Sequence, residues 1–396
     1  MRIRGEGELT TVPRTEGFSD GVPVWLRRLL GGLDWILIAA VVAISTFGLF
    51  VIRGATQTDI PGQPDYYFSR SLVFLVLGVV VMVGVSVLHA ERLARWPWAL
   101  WGGLLGALAV VFILGGSAKG STRWIEFGAF RLQPSEIGKV VLVLVLAGFI
   151  VERTRDVGTR RLTLLLIGMA AVPAMVVFAQ PDLGTAMVYG AILVAMLFLA
   201  GVPWTHLATL AGVLVLGATL VLGILPAMGV PVLKDYQVNR LLTFTGAIDE
   251  PGDAGYQQDQ SEIAVGQGGA LGKGTDGATQ TKNDFLPEHH TDFIYAVVAE
   301  TYGFVGAGGL ILVYGLVLWR AMGLVASASS RLDQLVAGGI VAMLIFQVFV
   351  NIGMTVGIMP ITGIPLPFMS YGGSHTVANL IAVGLLLGIH RRRAHI

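Results

Sequence analysis

The chain has 396 residues, of which 54% are hydrophobic and only 13% charged, with a mean hydropathy of +0.75. Soluble domains carry about 25% charged residues, so a soluble globular protein is excluded. The absence of cysteine excludes disulfides, thiolate catalysis and cysteine-ligated zinc, and a net charge of +1 argues against a nucleic-acid partner.

A bilayer crossing needs roughly 20 apolar residues. Ten such windows occur, at about 33–52, 71–88, 98–115, 136–151, 162–180, 184–201, 205–227, 293–319, 334–355 and 374–390. The first starts too late to be a signal peptide, and no small-residue cleavage site follows it. The expected architecture is therefore an all-α integral membrane protein of about ten transmembrane helices. Placing the N-terminus in the cytoplasm puts sixteen of the 26 Lys and Arg on that side and nine on the other, with Lys139 inside a span. Positive charge is retained inside, so both termini are expected to be cytoplasmic. Residues 1–32 form the cytoplasmic N-terminus, 33–390 the membrane domain and 391–396 the cytoplasmic C-terminus. Trp25, Arg27 and Arg28 suit either an interfacial helix or a plain anchor for the first span.

This topology turns residues 228–290, between the seventh and eighth spans, to the outside. A loop of that length is usually functional or disordered. Its specific pieces, Tyr236 to Arg240, Gly255-Tyr256-Gln257 and the glycine-rich run Gly266 to Gly274, predict an ordered outer lid.

A charge at mid-bilayer costs about 2.5–3.5 kcal/mol or more and marks a site by default. Glu136 and Lys139 open the fourth span, three residues apart and able to pair on one helix face. They are either a buried ion pair that orients helices or part of a site beside the outward cationic mouth of Arg123 and Arg131. Asp182, after Pro181, reads as a helix cap or tight turn as readily as a site residue. The densest polar stretch is Phe285 to Tyr295, where Glu288, His289, His290 and Asp292 crowd into five positions. Thr291 or Asp292 can cap the eighth span there, and Glu300, about 12 Å further along the helix, can line the same cavity. In residues 356–373 three prolines and several glycines break the helix, which is tolerated only where protein or water satisfies the backbone. Ser370 and Tyr371 are expected to be exposed on that wall, unless the segment is a purely structural turn.

Other motifs fail. Gly272-Lys273 lacks the first glycine and the Ser/Thr of a phosphate loop, no His-Glu-x-x-His pattern occurs, and the spacing of His289, His290 and Asp292 does not support a metal site. No organic cofactor is expected. Carboxylates and cations at the outer mouth of an apolar bundle suit a substrate with a lipid tail and an anionic head. Sugar transfer from a lipid diphosphate fits: a carboxylate takes the acceptor's proton, and cationic side chains or a divalent cation stabilise the departing diphosphate.

Four segments carry a family resemblance: Arg131-Leu-Gln-Pro-Ser-Glu136 with Lys139, Gln180-Pro-Asp-Leu-Gly-Thr185, Leu286-Pro-Glu-His-His-Thr-Asp-Phe-Ile294, and Asn351 through Gly373. The chain resembles the SEDS family (shape, elongation, division and sporulation). Arg240 to Phe244, Ala299 before Glu300 and Gly363 to Pro367 resemble its RodA branch more than its FtsW branch. Thr301 and His375 depart from the usual family pattern.

The resemblance implies an inner-membrane enzyme that polymerises lipid II into glycan strands during elongation, with its active site facing outward. It also implies a class B penicillin-binding protein transpeptidase and other elongation-complex membrane proteins as partners. Asp292 matches the essential carboxylate, as general base or as ligand to a divalent cation (Mg or Mn). Glu136 and Lys139 match further positions of the outer cavity, and Arg123, Arg131 and Arg240 are read as head-group contacts from side and charge. Glu288, His290, Asp182 and Ser370 complete the expected substrate site. Two rivals stand beside this reading. A lipid II flippase would carry cations along a whole path, and a non-catalytic scaffold would leave Asp292 replaceable.

Overall fold

The computed structural model describes residues 32–118, 121–127, 130–228, 253–283 and 285–393. The membrane helices are α1 (Trp35–Ala55), α2 (Tyr66–Val87), α4 (Pro97–Leu114), α5 (Pro134–Glu152), α6 (Arg160–Ala179), α7 (Leu183–Ala200), α8 (Trp204–Ala227), α12 (Ile294–Ser327), α13 (Arg331–Thr355) and α14 (Gly373–Arg393). Nine of these are long and apolar enough to cross a membrane. The tenth, α4, is an apolar helix of 18 residues, about 27 Å at 1.5 Å per residue. Short helices α3 (Ala90–Ala94), α9 (Asp253–Gln267), α10 (Gly274–Gly277) and α11 (Thr279–Lys282) lie between them. The chain is a multi-pass membrane protein.

Local sequence sets the helix starts. Pro97 and Pro134 take the first turns of α4 and α5, where no N–H partner is lost. Asp34, Thr159, Asp182 and Ser330 cap α1, α6, α7 and α13 by accepting backbone N–H groups. Gly201 ends α7 in the left-handed conformation that a side chain would resist. The core is built around α5, whose membrane window is 83% buried, with α13 and α14 beside it. The most extensive helix contact joins α2 and α14. A Cβ on Gly78 would lie 2.5 Å from Leu380 and one on Gly384 2.6 Å from the Met82 carbonyl, so both glycines are needed for that approach. By contrast α8 buries no residue; near its start it packs beside α7, and His206 hydrogen-bonds Thr163 of α6 at 2.9 Å.

Three features differ from the hydropathy reading. A small antiparallel meander, β1 (Gly116–Ala118), β2 (Ser121–Phe127) and β3 (Phe130–Leu132), fills the connection between α4 and α5. Helix α12 runs eight residues beyond the expected end at 319, to Ser327. It is also broken at Gly303 (φ 66°, ψ −164°). At the break the Phe304 and Val305 N–H groups donate to the carbonyls of Gly269 and Ala270, 2.8 and 3.1 Å away. The glycine run 266–274 is thus a docking strip. Side chains on Gly268 or Gly272 would collide with the Ala299 and Thr301 carbonyls. Within the predicted lid, residues 253–283 carry the short helices α9, α10 and α11, while Tyr236 to Arg240 and residues 22–31 of the candidate interfacial stretch 22–32 lie outside the described residues.

Both ends of the bundle share one face, with Gly32 beside Arg391. There Asp34, buried at 2%, receives Arg320 through Nε and Nη2 at 3.0 and 2.7 Å, and Asp333 receives Arg392. Burial pushes the Asp34 carboxyl up, but the Arg320 hydrogen bonds and the Leu37 N–H outweigh it and hold the pKa below its ordinary value. A lowered native pKa stabilises the fold fully above the unfolded value of about 4, and that contribution fades as pH falls below it. Asp34→Asn is therefore expected to lower stability by about 2 kcal/mol at pH 7. Thermal melting of the two proteins in detergent should show the gap narrowing as the pH is taken below 4.

Candidate functional site

On the opposite face, the chain entering α12 makes a tight turn. Glu288 takes φ +54°, and its carbonyl accepts the N–H groups of Thr291, Asp292 and Phe293 at 3.1, 3.1 and 3.3 Å. Phe293 occupies the cap position without a side-chain bond, so neither Thr291 nor Asp292 caps the helix as expected. Thr291 instead donates to the Glu288 carboxylate at 3.0 Å. Asn351 of α13 donates to the Asp292 carbonyl at 2.8 Å and to the Ile364 carbonyl at 2.7 Å, stitching the turn to the proline-rich segment 356–372. Asp292 is half-buried. A Cβ on Gly363 (φ +72°) would come within 3.3 Å of its Oδ2, so bare backbone faces the carboxylate. His290 lies against Tyr67, with ring centroids 4.3 Å apart, and its carbonyl accepts the Tyr371 N–H at 2.9 Å. Arg70 stacks over the Tyr66 ring, 4.4 Å from its centroid. Neither Tyr67 nor Asp59, which both reach this turn, stood out from the sequence.

Below this surface Glu136 and Lys139 pair at 2.7 Å, exposed by only 3% and 1%. His375 of α14 brings Nδ1 to 2.9 Å of the same carboxylate oxygen, and Asn379 donates to the His375 carbonyl at 3.0 Å. The expected i, i+3 pair is thus a buried cluster across α5 and α14, and the departing residue His375 is its third member.

Between the cluster and the meander, Gln133 donates to the Asp182 carboxylate at 2.9 Å and accepts from Trp124 at 3.1 Å. Asp182 also caps α7 through the Thr185 N–H at 3.1 Å, which favours the capping reading. Arg123 donates to the Gln180 carbonyl at 3.1 Å, while exposed Arg131 pairs with Glu126 at 3.1 Å. Both arginines belong to β2 and β3, so the cationic mouth is carried on the meander, partly neutralised by its own carboxylate.

The family model described as cell cycle protein, FtsW/RodA/SpoVE, matches residues 33–395. The chain belongs to the FtsW/RodA/SpoVE family. It is 36% identical to the peptidoglycan glycosyltransferase MrdB of Escherichia coli K12, covering 91% of this chain and 94% of that one. It is 33% identical to the stage V sporulation protein E of Bacillus subtilis, covering 90% and 97%. Among solved structures it matches a chain described under the structural coordination of polymerization and crosslinking by a peptidoglycan synthase complex (TM-score 0.76, 32% identity, 92% and 99% covered). It also matches the rod shape determining protein RodA of Thermus thermophilus (TM-score 0.67, 30% identity, 94% and 99% covered).

Within this FtsW/RodA/SpoVE fold, two expected cavity residues serve the framework instead. Ser370 is buried at 4%, because its hydroxyl accepts the Leu366 N–H at 2.8 Å and closes the proline-rich turn; Tyr371 beside it is half-buried. Glu300 is wholly buried and accepts from the N–H groups of Gln280 and Thr281 and the Thr281 hydroxyl, clamping α11 onto α12. Arg240 lies outside the described residues. Among the described residues one group of three ligand-type side chains converges, Asp59 with His289 and His290, their ligand atoms all within 4.8 Å of one another. Asp292, the expected metal ligand, is not part of it.

Proposed function

We propose that the chain is a peptidoglycan glycosyltransferase that polymerises lipid II, with Asp292 as general base. One observation carries the assignment of Asp292: its carboxylate is half-buried beside the bare backbone of Gly363, on a turn held from three sides, in a chain whose relatives bear that activity in their names. The Asp292 carboxylate accepts the proton of the acceptor sugar hydroxyl as its oxygen bonds the donor's anomeric carbon, while the bond from that carbon to the diphosphate oxygen breaks. The diphosphate leaves with the bonding pair, so no second carboxylic acid is needed. In its alternative role Asp292 would hold a divalent cation, Mg or Mn, for which a single carboxylate suffices, and the cation would neutralise charge on the leaving diphosphate. Arg123 and Arg131 attract the anionic head at the mouth, and Lys139, Glu136, Glu288, His290, Asp182 and Ser370 line or brace the walls behind it.

The excess of Lys and Arg in the loops on the face of Gly32 and Arg391 supports a cytoplasmic side there, with the Asp292 face outward, in a bacterial inner membrane. Coordinated polymerization and crosslinking in the similar synthase complex supports a class B penicillin-binding protein as partner, within an elongation complex. Elongation is favoured over division by Arg240 to Phe244, Ala299 and Gly363 to Pro367.

The test is polymer formation by the detergent-purified chain with its partner, lipid II and a divalent cation, with moenomycin silencing contaminating polymerases. Glycan chains are expected. Their absence, together with lipid II crossing the bilayer of proteoliposomes, would replace polymerisation by transport.

A further inference from the structure

The Asp59, His289 and His290 group has the make-up of a metal site, and the sequence reading had no means of finding it. Asp59 lies in the connection between α1 and α2, more than two hundred residues before the two histidines. His289 and His290 precede α12. All three side chains are largely withdrawn from solvent, with exposures of 10%, 5% and 14%.

The protonation geometry points the same way. A carbonyl can only accept, so the His289 Nδ1 at 3.1 Å from the Leu286 carbonyl carries a proton and donates it. In the neutral ring Nε2 then turns a lone pair toward Asp59 Oδ2, 3.5 Å away. Two facing lone pairs on a carboxylate and an imidazole repel unless positive charge lies on the ring or between the two atoms. A charged imidazolium–carboxylate bond closes to about 2.7–2.9 Å. Two ligands on one tetrahedral zinc, each bonded at about 2.1 Å, sit about 3.4 Å apart. The observed separations from Oδ2, 3.5 Å to His289 Nε2 and 3.9 Å to His290 Nδ1, match the second arrangement better. The Leu286 carbonyl, in turn, is the kind of outer partner that fixes the tautomer of a metal-binding histidine.

We propose that Asp59, His289 and His290 bind a first-row divalent metal ion, zinc or a close analogue, at a site separate from the Asp292 carboxylate. Two imidazoles and one carboxylate suit zinc, cobalt or manganese and do not suit magnesium or calcium, which take oxygen ligands. The ion ties the α1–α2 connection to the turn that presents Asp292 two residues later, so it acts as a positioning element. In that respect it deepens the polymerase reading, but metal retention is measured without lipid II and stands or falls apart from that activity.

The experiment takes the full chain in detergent, strips it with a chelator, incubates it with zinc, desalts it and measures bound metal and melting temperature. About one equivalent is expected to stay bound, with a higher melting temperature than the stripped protein. Cobalt in place of zinc should give the visible absorption of a low-coordinate ion. His289→Gln and, independently, Asp59→Asn are each expected to weaken retention by about tenfold or more. Asp292→Asn, outside the group, is expected to keep the metal. Elution as a single species, with a melting temperature near that of stripped native protein, qualifies each variant as folded. A native chain that holds no more zinc than the two variants, or loses metal equally through Asp292→Asn, overturns the proposal. In the first case the group is an imidazolium–carboxylate ion pair.

Discussion

Asp292→Asn is expected to cut glycan polymerisation by roughly 10²–10⁴-fold, the range typical of a lost general base, while leaving the protein folded. The amide matches the carboxylate in size but cannot take the acceptor's proton. Two of the contacts that hold the residue are made by its backbone: its N–H donates to the Glu288 carbonyl and its own carbonyl accepts from Asn351. Those contacts survive the substitution. The loss should therefore fall on kcat, with the KM for lipid II nearly unchanged, because the missing interaction belongs to the transition state. Asp292→Glu tests position separately from charge. The Gly363 backbone leaves little room, since a single added Cβ there would already lie 3.3 Å from Oδ2. A longer acid must swing away, so it is expected to recover only a small part of the rate. Lipid II consumption and chain length on gels, at several lipid II concentrations, give both parameters. Equal rates for the native protein and Asp292→Asn would remove the carboxylate from proton transfer.

Ten hydropathy windows found ten helices because an apolar run of bilayer length has few alternatives: every backbone N–H must be satisfied within the segment. The break at Gly303 was not legible for the same reason. Its stability comes from Gly269 and Ala270, more than thirty residues away, whose carbonyls replace the partners that the helix gives up. The glycine run drew notice as a motif, but its purpose, close approach to the Ala299 and Thr301 carbonyls, exists only in three dimensions. The meander escaped because its strands span three to seven residues and lack the period-two pattern of a longer strand.

At the candidate site, spacing exposed what was local and missed what was distant. Glu136 and Lys139 share a helix face three residues apart, and they pair. His375 completes that cluster from 239 residues away, and Asp59 reaches His289 across a comparable gap. A buried acid in a polar motif also has two uses that sequence does not separate. Glu300 looked like a cavity residue and is a clamp for α11, because the N–H groups of a short helix need an acceptor as much as a substrate does.

The buried cluster allows its structural and chemical roles to be separated. Lys139→Met is expected to destabilise the protein by about 3–5 kcal/mol, because it strands the Glu136 carboxylate in a low-dielectric core with only His375 to answer it. The paired replacement Glu136→Gln with Lys139→Met removes both charges and should cost much less, so the two single changes will not add. Melting of the four proteins in detergent measures that coupling. Additive losses would show that the two groups, although 2.7 Å apart, do not depend on each other energetically. Polymerisation by the double variant then decides the second question. If Lys139 serves only to neutralise Glu136, a protein that regains stability should regain most of its rate as well. If the ammonium also draws the diphosphate inward, the rate stays low in a stable protein. The KM for lipid II should then rise, since a cation that holds the ground-state diphosphate contributes to binding before it contributes to chemistry.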